Sequence, residues 1–230
     1  MVMLPTPDTQ PGMLYVAVIG DIVRSRRLDS ATRSDVQVAF VQLMTRLNQE
    51  FAESLQGKFT IALGDEFEAL ICVSAASQTI PDLIWRIEEI FPNPVLRLGF
   101  GLGRIDTPII ENVAALDGPA FHHAREAIGV AAKKKQLGGV FRGFGDNHDP
   151  ILNGIARVLH YQRSRWSRQQ RNLAMVLHRG IRKIDAARTM GLPRQTITTY
   201  AQAAGWDAYQ EGETAWRKAL QESIPPSSVS

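Results

Sequence analysis

Apolar positions change their period several times along the chain, and the changes mark its elements. Residues 14–20 form a continuous apolar run, the pattern of a buried central strand, and the run ends on Asp21. After the basic turn Arg24-Ser25-Arg26-Arg27, residues 31–55 place Val38, Val41, Leu47 and Phe51 at amphipathic spacing and predict a long helix. Residues 59–63 and 67–73 read as two short strands joined through Gly64-Asp65-Glu66 in a tight hairpin. A helix is predicted over 80–90. Leu96, Leu98, Phe100 and Leu102 then alternate with Arg97 and glycines as a strand, and a third helix over 119–131 precedes a strand at 140–144. The order βαββαβ, with one added strand, predicts an α/β (α+β) fold built on a ferredoxin-like sheet.

The pattern changes again after residue 145. Gly145-Asp146-Asn147-His148-Asp149-Pro150 is a string of turn formers and reads as a linker and hinge. An amphipathic helix is predicted over 167–179, and the stretch from Lys183 to Ala201 has helix-turn-helix spacing. Ala187 is small where a second helix would cross, and Gly191 supplies a left-handed turn. Ile184, Leu192 and Ile197 would close a small core, with Pro193 opening a reading helix over 193–204. That helix would offer Arg194, Gln195, Thr196, Thr198 and Thr199 to phosphates and base edges, with Arg188 alongside. A helical hairpin for protein contacts has the same spacing. Trp206, Tyr209 and Trp216 recur at helical intervals and suit packing better than base stacking. The expected organisation is a flexible tail over 1–12, a sheet domain over 13–145, a linker over 146–150, a helical DNA-binding domain over 151–222 and a flexible tail over 223–230.

Composition sharpens this picture in two places. The net charge of +3 is modest, yet from Arg157 to Arg194 nine arginines and Lys183 face the single acid Asp185, a balance that favours a polyanion. Cys72 is the sole cysteine, which excludes an intramolecular disulfide and argues against a cysteine zinc site. No run reaches the roughly 18 apolar residues of a membrane span, and residues 1–12 lack the pattern of a secretory signal, with Met13 a possible start. A cytoplasmic protein is expected.

In a βαββαβ order, the end of the first strand and the hairpin tip can meet, which would bring Asp21, Asp65 and Glu66 together. Clustered carboxylates repel unless a cation lies between them, so Mg²⁺ or Mn²⁺ with nucleotide phosphates fits the pattern. Ile22, Val23, Arg24 and Ser25 could hold the phosphates through amides and side chains, with Arg125, Lys133, Lys134 and Lys135 adding positive charge. Gly-Asp-Glu is also ordinary turn chemistry, and an Asp ending a strand often only caps the next turn.

Val18-Ile-Gly-Asp-Ile-Val-Arg-Ser-Arg, Ile61-Ala-Leu-Gly-Asp-Glu-Phe-Glu-Ala-Leu, Arg97-Leu-Gly-Phe-Gly-Leu-Gly and Asp117-Gly-Pro-Ala-Phe-His-His-Ala-Arg-Glu-Ala together resemble the SatD family, over roughly residues 13–216. The same segments are more distantly similar to the palm domain of class III nucleotide cyclases and diguanylate cyclases. That resemblance implies two metal-binding, catalytic acids at Asp21 and Asp65, a signature acid at Glu66, and a phosphate-binding cation at Arg125. Leu63, Ile61 and His122 depart from the cyclase pattern where base selection and transition-state binding would lie. The resulting expectation is a DNA-binding regulator, a homodimer, whose palm binds a nucleoside triphosphate or other nucleotide. The alternatives are an active cyclase or nucleotidyltransferase with a C-terminal dimerisation or RNA-binding bundle, and a ligand-free dimerisation platform.

Overall fold

The computed structural model describes residues 13–25, 29–92, 95–109 and 112–225. The tail expected over 1–12 lies outside them. One five-stranded sheet has the order β2-β3-β1-β4-β5: β1 (Tyr15–Ile22), β2 (Leu55–Leu63), β3 (Glu66–Cys72), β4 (Leu96–Gly103) and β5 (Val140–Arg142). Every neighbouring pair is antiparallel except β4 with β5. Central β1 is buried along nearly its whole length, as its apolar run requires. Helices α1 (Ser30–Glu50), α2 (Val73–Ile90) and α3 (Pro119–Lys134) cover the sheet, and α4 (His148–Arg165), α5 (Arg168–His178), α6 (Lys183–Met190), α7 (Arg194–Ala204) and α8 (Trp206–Glu222) follow.

Three boundaries differ from the sequence expectation for physical reasons. The helix predicted over 31–55 stops at Glu50, because the chain must reverse through a 3₁₀ turn for Leu55 to pair with Ile71. Helix α2 begins at Val73, seven positions before the predicted 80, since Val73, Ala76, Ile80, Leu83 and Ile87 already form a buried stripe around Pro81. Residues 148–150 are not a linker but the first turn of α4, where Pro150 loses no hydrogen bond. Asp149 there accepts from the amides of Gly143 at 3.3 Å and Phe144 at 2.9 Å, which ends β5 at Arg142 rather than 144.

Two asparagines hold the outer strands by both backbone groups of one residue. Asn48 of α1 accepts from Phe59 N at 2.7 Å and donates to Phe59 O at 2.9 Å. Asn153 of α4 does the same for Phe141, at 2.9 and 3.0 Å. Each satisfies a donor and an acceptor that the sheet leaves over.

Among the described residues no separate core forms beyond residue 150. A single buried cluster runs from Val16, Phe40 and Phe100 through Phe141 to Trp166, Trp206, Tyr209 and Trp216, with the Phe141 and Trp216 rings 5.6 Å apart. The end expected to be frayed is partly held: Ser223 and Ile224 are buried, and residues 226–230 lie outside the described set. Polar groups also cross this seam. Arg163 of α4 donates to both oxygens of Glu88 at 3.0 Å and to the Tyr209 hydroxyl at 2.7 Å. Burial alone would raise the Glu88 carboxyl, but Arg163 and His160 override it and hold it at about 2. Trp85 Nε1 donates to Glu213 at 2.8 Å, tying α2 to α8. Among the described residues no helix is long and apolar enough to cross a membrane.

Candidate functional site

Alternation along β1 sends Val16 and Val18 toward α1 and α2, and Tyr15, Ala17, Ile19 and Asp21 toward α3. Strand register then fixes what stands beside Asp21. Glu66 lies opposite it on β3 and Arg97 opposite it on β4, with Glu68 beside Ile19 one step away. Helix α3 approaches this face closely because Gly99, Gly101 and Gly103 line it. A Cβ at Gly99 would come within 2.6 Å of the Ala124 carbonyl oxygen. The helix thereby delivers Arg125, which donates to buried Glu68 at 2.7 Å and lies 4.0 Å from Glu66.

The result is an acid-rich strand end. Asp65, at the hairpin tip after Gly64 with φ of 57°, accepts a hydrogen bond from the Ser25 hydroxyl. Burial raises the Glu66 carboxyl; Arg125 opposes the rise, while Asp21 and Asp65 add to it. Glu68 is likewise raised by burial, with Arg125 opposing and Glu66 adding. Arg97 forms a bidentate pair with Asp21, at 2.8 and 2.5 Å. Arg24 is exposed with φ of 63°, a left-handed conformation that a non-glycine residue adopts at a cost.

Several expectations change here. The amides of Ile22 and Val23 are not available to phosphate, because Ile22 N donates to Asp65 O at 3.1 Å and Val23 N to Val95 O at 2.9 Å. Lys133 is exposed in the last turn of α3, roughly two turns beyond Arg125, and does not join the cluster. Asp21, Asp65 and Glu66 share one strand end, but their oxygens do not converge into a three-ligand group. The trio that does so among the described residues is Asp82, His178 and Glu213, within 4.8 Å of one another. Arg217 already supplies the cation there, its Nη2 lying 2.6 Å from both Asp82 and Glu213. Arg97 and Glu68 were not singled out from sequence.

The helices expected to read DNA are formed, with changed details. Gly191 closes α6 in the left-handed conformation, with φ of 64°, and Pro193 caps α7. Ile197 is buried and Leu192 packs beside it, but Ile184 is exposed; Ala186 and Ala187 make the contact instead. Arg188, Arg194, Gln195, Thr198 and Thr199 are exposed and Thr196 is half-buried. The Thr198 and Thr199 hydroxyls donate back to the carbonyls of Arg194 and Gln195, at 3.1 and 3.0 Å. Three of the nine arginines of the run, and Lys183, are paired with acids: Arg163 with Glu88, Arg179 with Glu89, Arg182 with Asp185, and Lys183 with Asp207. The run is therefore less of a polyanion surface than its composition implied.

Two solved structures of bacterial light-regulated adenylyl cyclases are similar to this chain in part. One has 14% identity over 56% of this chain and 75% of that chain, with a TM-score of 0.38; the other has 15% identity over 56% and 42%, with a TM-score of 0.37. No curated protein matches. The model of the SatD family matches residues 15–189, so it takes in the acid-rich strand end and stops within α6, short of Gly191, α7 and the expected limit at 216. Over that span, which is most of its length, the chain belongs to the SatD family.

Proposed function

We propose that the chain binds a nucleotide, a nucleoside triphosphate being the simplest, together with Mg²⁺ or Mn²⁺ at the strand end that carries Asp21 and Asp65. One observation carries this reading: three carboxylates, Asp21, Asp65 and Glu66, crowd a half-buried edge where Glu66 is already held above its usual range. Such an edge gains from a hard divalent cation with oxygen ligands. Asp21 and Asp65 would hold the ion and Glu66 would stand beside it. Arg97, displaced from Asp21, would be released toward phosphate with Arg125 and Arg24, while Ser25 contributes its hydroxyl. Held there, the ion would supply the positive charge that phosphates need.

Sensing is favoured over turnover. Ile61, which stands where an adenylyl cyclase has its base-selecting lysine, is a half-buried apolar residue paired with Phe67. His122, which stands where cyclases place a transition-state group, bonds Asp117 at 3.0 Å at the opposite end of α3 from Arg97. The output in this reading is DNA contact by Arg188, Arg194, Gln195 and Thr196, with the exposed surfaces of Thr198 and Thr199, in a homodimer. Ligand and DNA affinity are linked if the ligand prefers one conformation of the shared core.

The test is thermal unfolding of the full chain with ATP or GTP and MgCl₂, repeated with D21N and D65N. A rise in melting temperature that both variants lose supports the site, and an unchanged melting temperature in the parent protein refutes it. Release of pyrophosphate, lost in the same variants, would replace the sensor by the enzyme. Operator DNA titrated with and without nucleotide tests the linkage, and equal affinities would exclude it.

A further inference from the structure

A cavity lies on the face of the sheet opposite the acid-rich strand end, at the seam between α2, the start of β4, the α3–β5 loop, α4 and α5. Its volume is about 460 Å³ and its walls include Ile84, Ile87, Phe91, Val95, Leu96 and Leu98. The greater part of the wall is apolar, and Glu88, His160, Ser164 and Arg171 supply its polar positions. Its one acid, Glu88, is consumed by two hydrogen bonds from Arg163, at 3.0 Å each. The apolar part of the space suits a saturated body.

Leu137, His160 and Ser164 also line an adjoining, more open space of about 590 Å³, so the two share a doorway. The outer space is basic. Lys134, Lys135 and Arg157 line it with Tyr161, no acid stands among its walls, and none of the three cations has an acidic partner among the described residues. Lys135 is held in place by the left-handed cap of α3, with φ of 53°. At the doorway, His160 Nδ1 is buried, lies 3.5 Å from Glu88 and makes no hydrogen bond.

We propose that this chamber and its mouth bind an aliphatic carboxylate, with the hydrocarbon chain among Ile84, Ile87, Phe91 and Leu98 and the head group at Lys134, Lys135 and Arg157. The apolar wall selects the chain by burying it, and the mouth selects charge by cations that have no acidic partner among the described residues. The site shares no residue with the acid-rich strand end, so it stands or falls independently of the nucleotide reading.

Isothermal titration calorimetry of the full chain with dodecanoate, below its micelle concentration, should show saturable binding at one site. Affinity should rise about fourfold for each methylene from octanoate to dodecanoate. The double variant K135E/R157E should weaken binding at least tenfold by reversing the mouth, and S164W should abolish it by filling the doorway. Both changes lie on exposed residues, and an unaltered melting temperature would show that each variant is folded. Absent or non-saturable binding would overturn the proposal. So would dodecanol binding as tightly as dodecanoate, or full affinity retained by the folded S164W protein.

Discussion

The molecule gathers charge in two places, and it treats them in opposite ways. At the seam, Glu88 and Glu213 are both held at about 2. In each case burial alone would raise the carboxyl, and specific partners reverse the effect: Arg163 for Glu88, and His178, Trp85 and Arg217 for Glu213. At the end of β1, Glu66 and Glu68 have the same kind of neighbours in smaller supply, and burial wins. One cluster is balanced by its own fold and serves structure. The other retains an excess of acids at an accessible edge, which is the condition for recruiting a cation from outside.

The largest test of that contrast is at Arg163. R163A leaves Glu88 buried without its main partner and should cost about 3–5 kcal/mol in urea denaturation, with E88Q in the same chain recovering part of it. A loss below about 1 kcal/mol would mean that the seam does not depend on its ion pair. Next, D21N and D65N should each leave the protein folded but remove most of the nucleotide-dependent stabilisation. That stabilisation is about 2.7 kcal/mol when the nucleotide is present at 100 times its dissociation constant. On the DNA side, R194A should weaken binding by about 1 kcal/mol and lower the slope of log affinity against log salt by about 1, as for a lost phosphate contact.

The smallest effect has a revealing sign. Glu88 and Glu213 have folded values below the ordinary carboxylate range, so the stability they contribute is present above pH 4.5 and is lost as pH falls through about 2. Glu66 and Glu68 are raised, so their ionisation opposes folding and the protein regains that stability as pH falls through their raised values. E68Q should therefore stabilise the chain at pH 7, by about 1 kcal/mol or less, and flatten the gain on mild acidification. Denaturant titrations at pH 7 and pH 4.5 would show it, and destabilisation at pH 7 would place Glu68 with the balanced cluster instead.

The strand end was largely legible in the sequence because its signals are local. An apolar run that stops at Asp21 and a hairpin that turns at Gly64-Asp65-Glu66 are read from neighbouring residues. Arg97 and Glu68 were hidden because their meeting with Asp21 and Arg125 depends on the register of strands far apart in sequence. The amides of Ile22 and Val23 were misjudged for the same reason, since their acceptors are carbonyls of Asp65 and Val95. Beyond residue 145 the local signals were less dependable. A string of turn formers opened a helix once Asp149 found the Gly143 and Phe144 amides, and cations that looked free found acids, Arg163 and Arg179 on α2 and Lys183 on α8. Composition counts charges but cannot see their partners.

The two asparagines have a consequence for how this protein meets other chains. An exposed outer strand is a template on which another chain can add a strand, and unchecked addition leads to aggregation. Asn48 and Asn153 block that template at Phe59 and Phe141, one on each side of the sheet, by occupying the very groups an incoming strand would need. Association through the sheet is thereby discouraged in both directions, and a partner, including a second copy, is steered toward the helices.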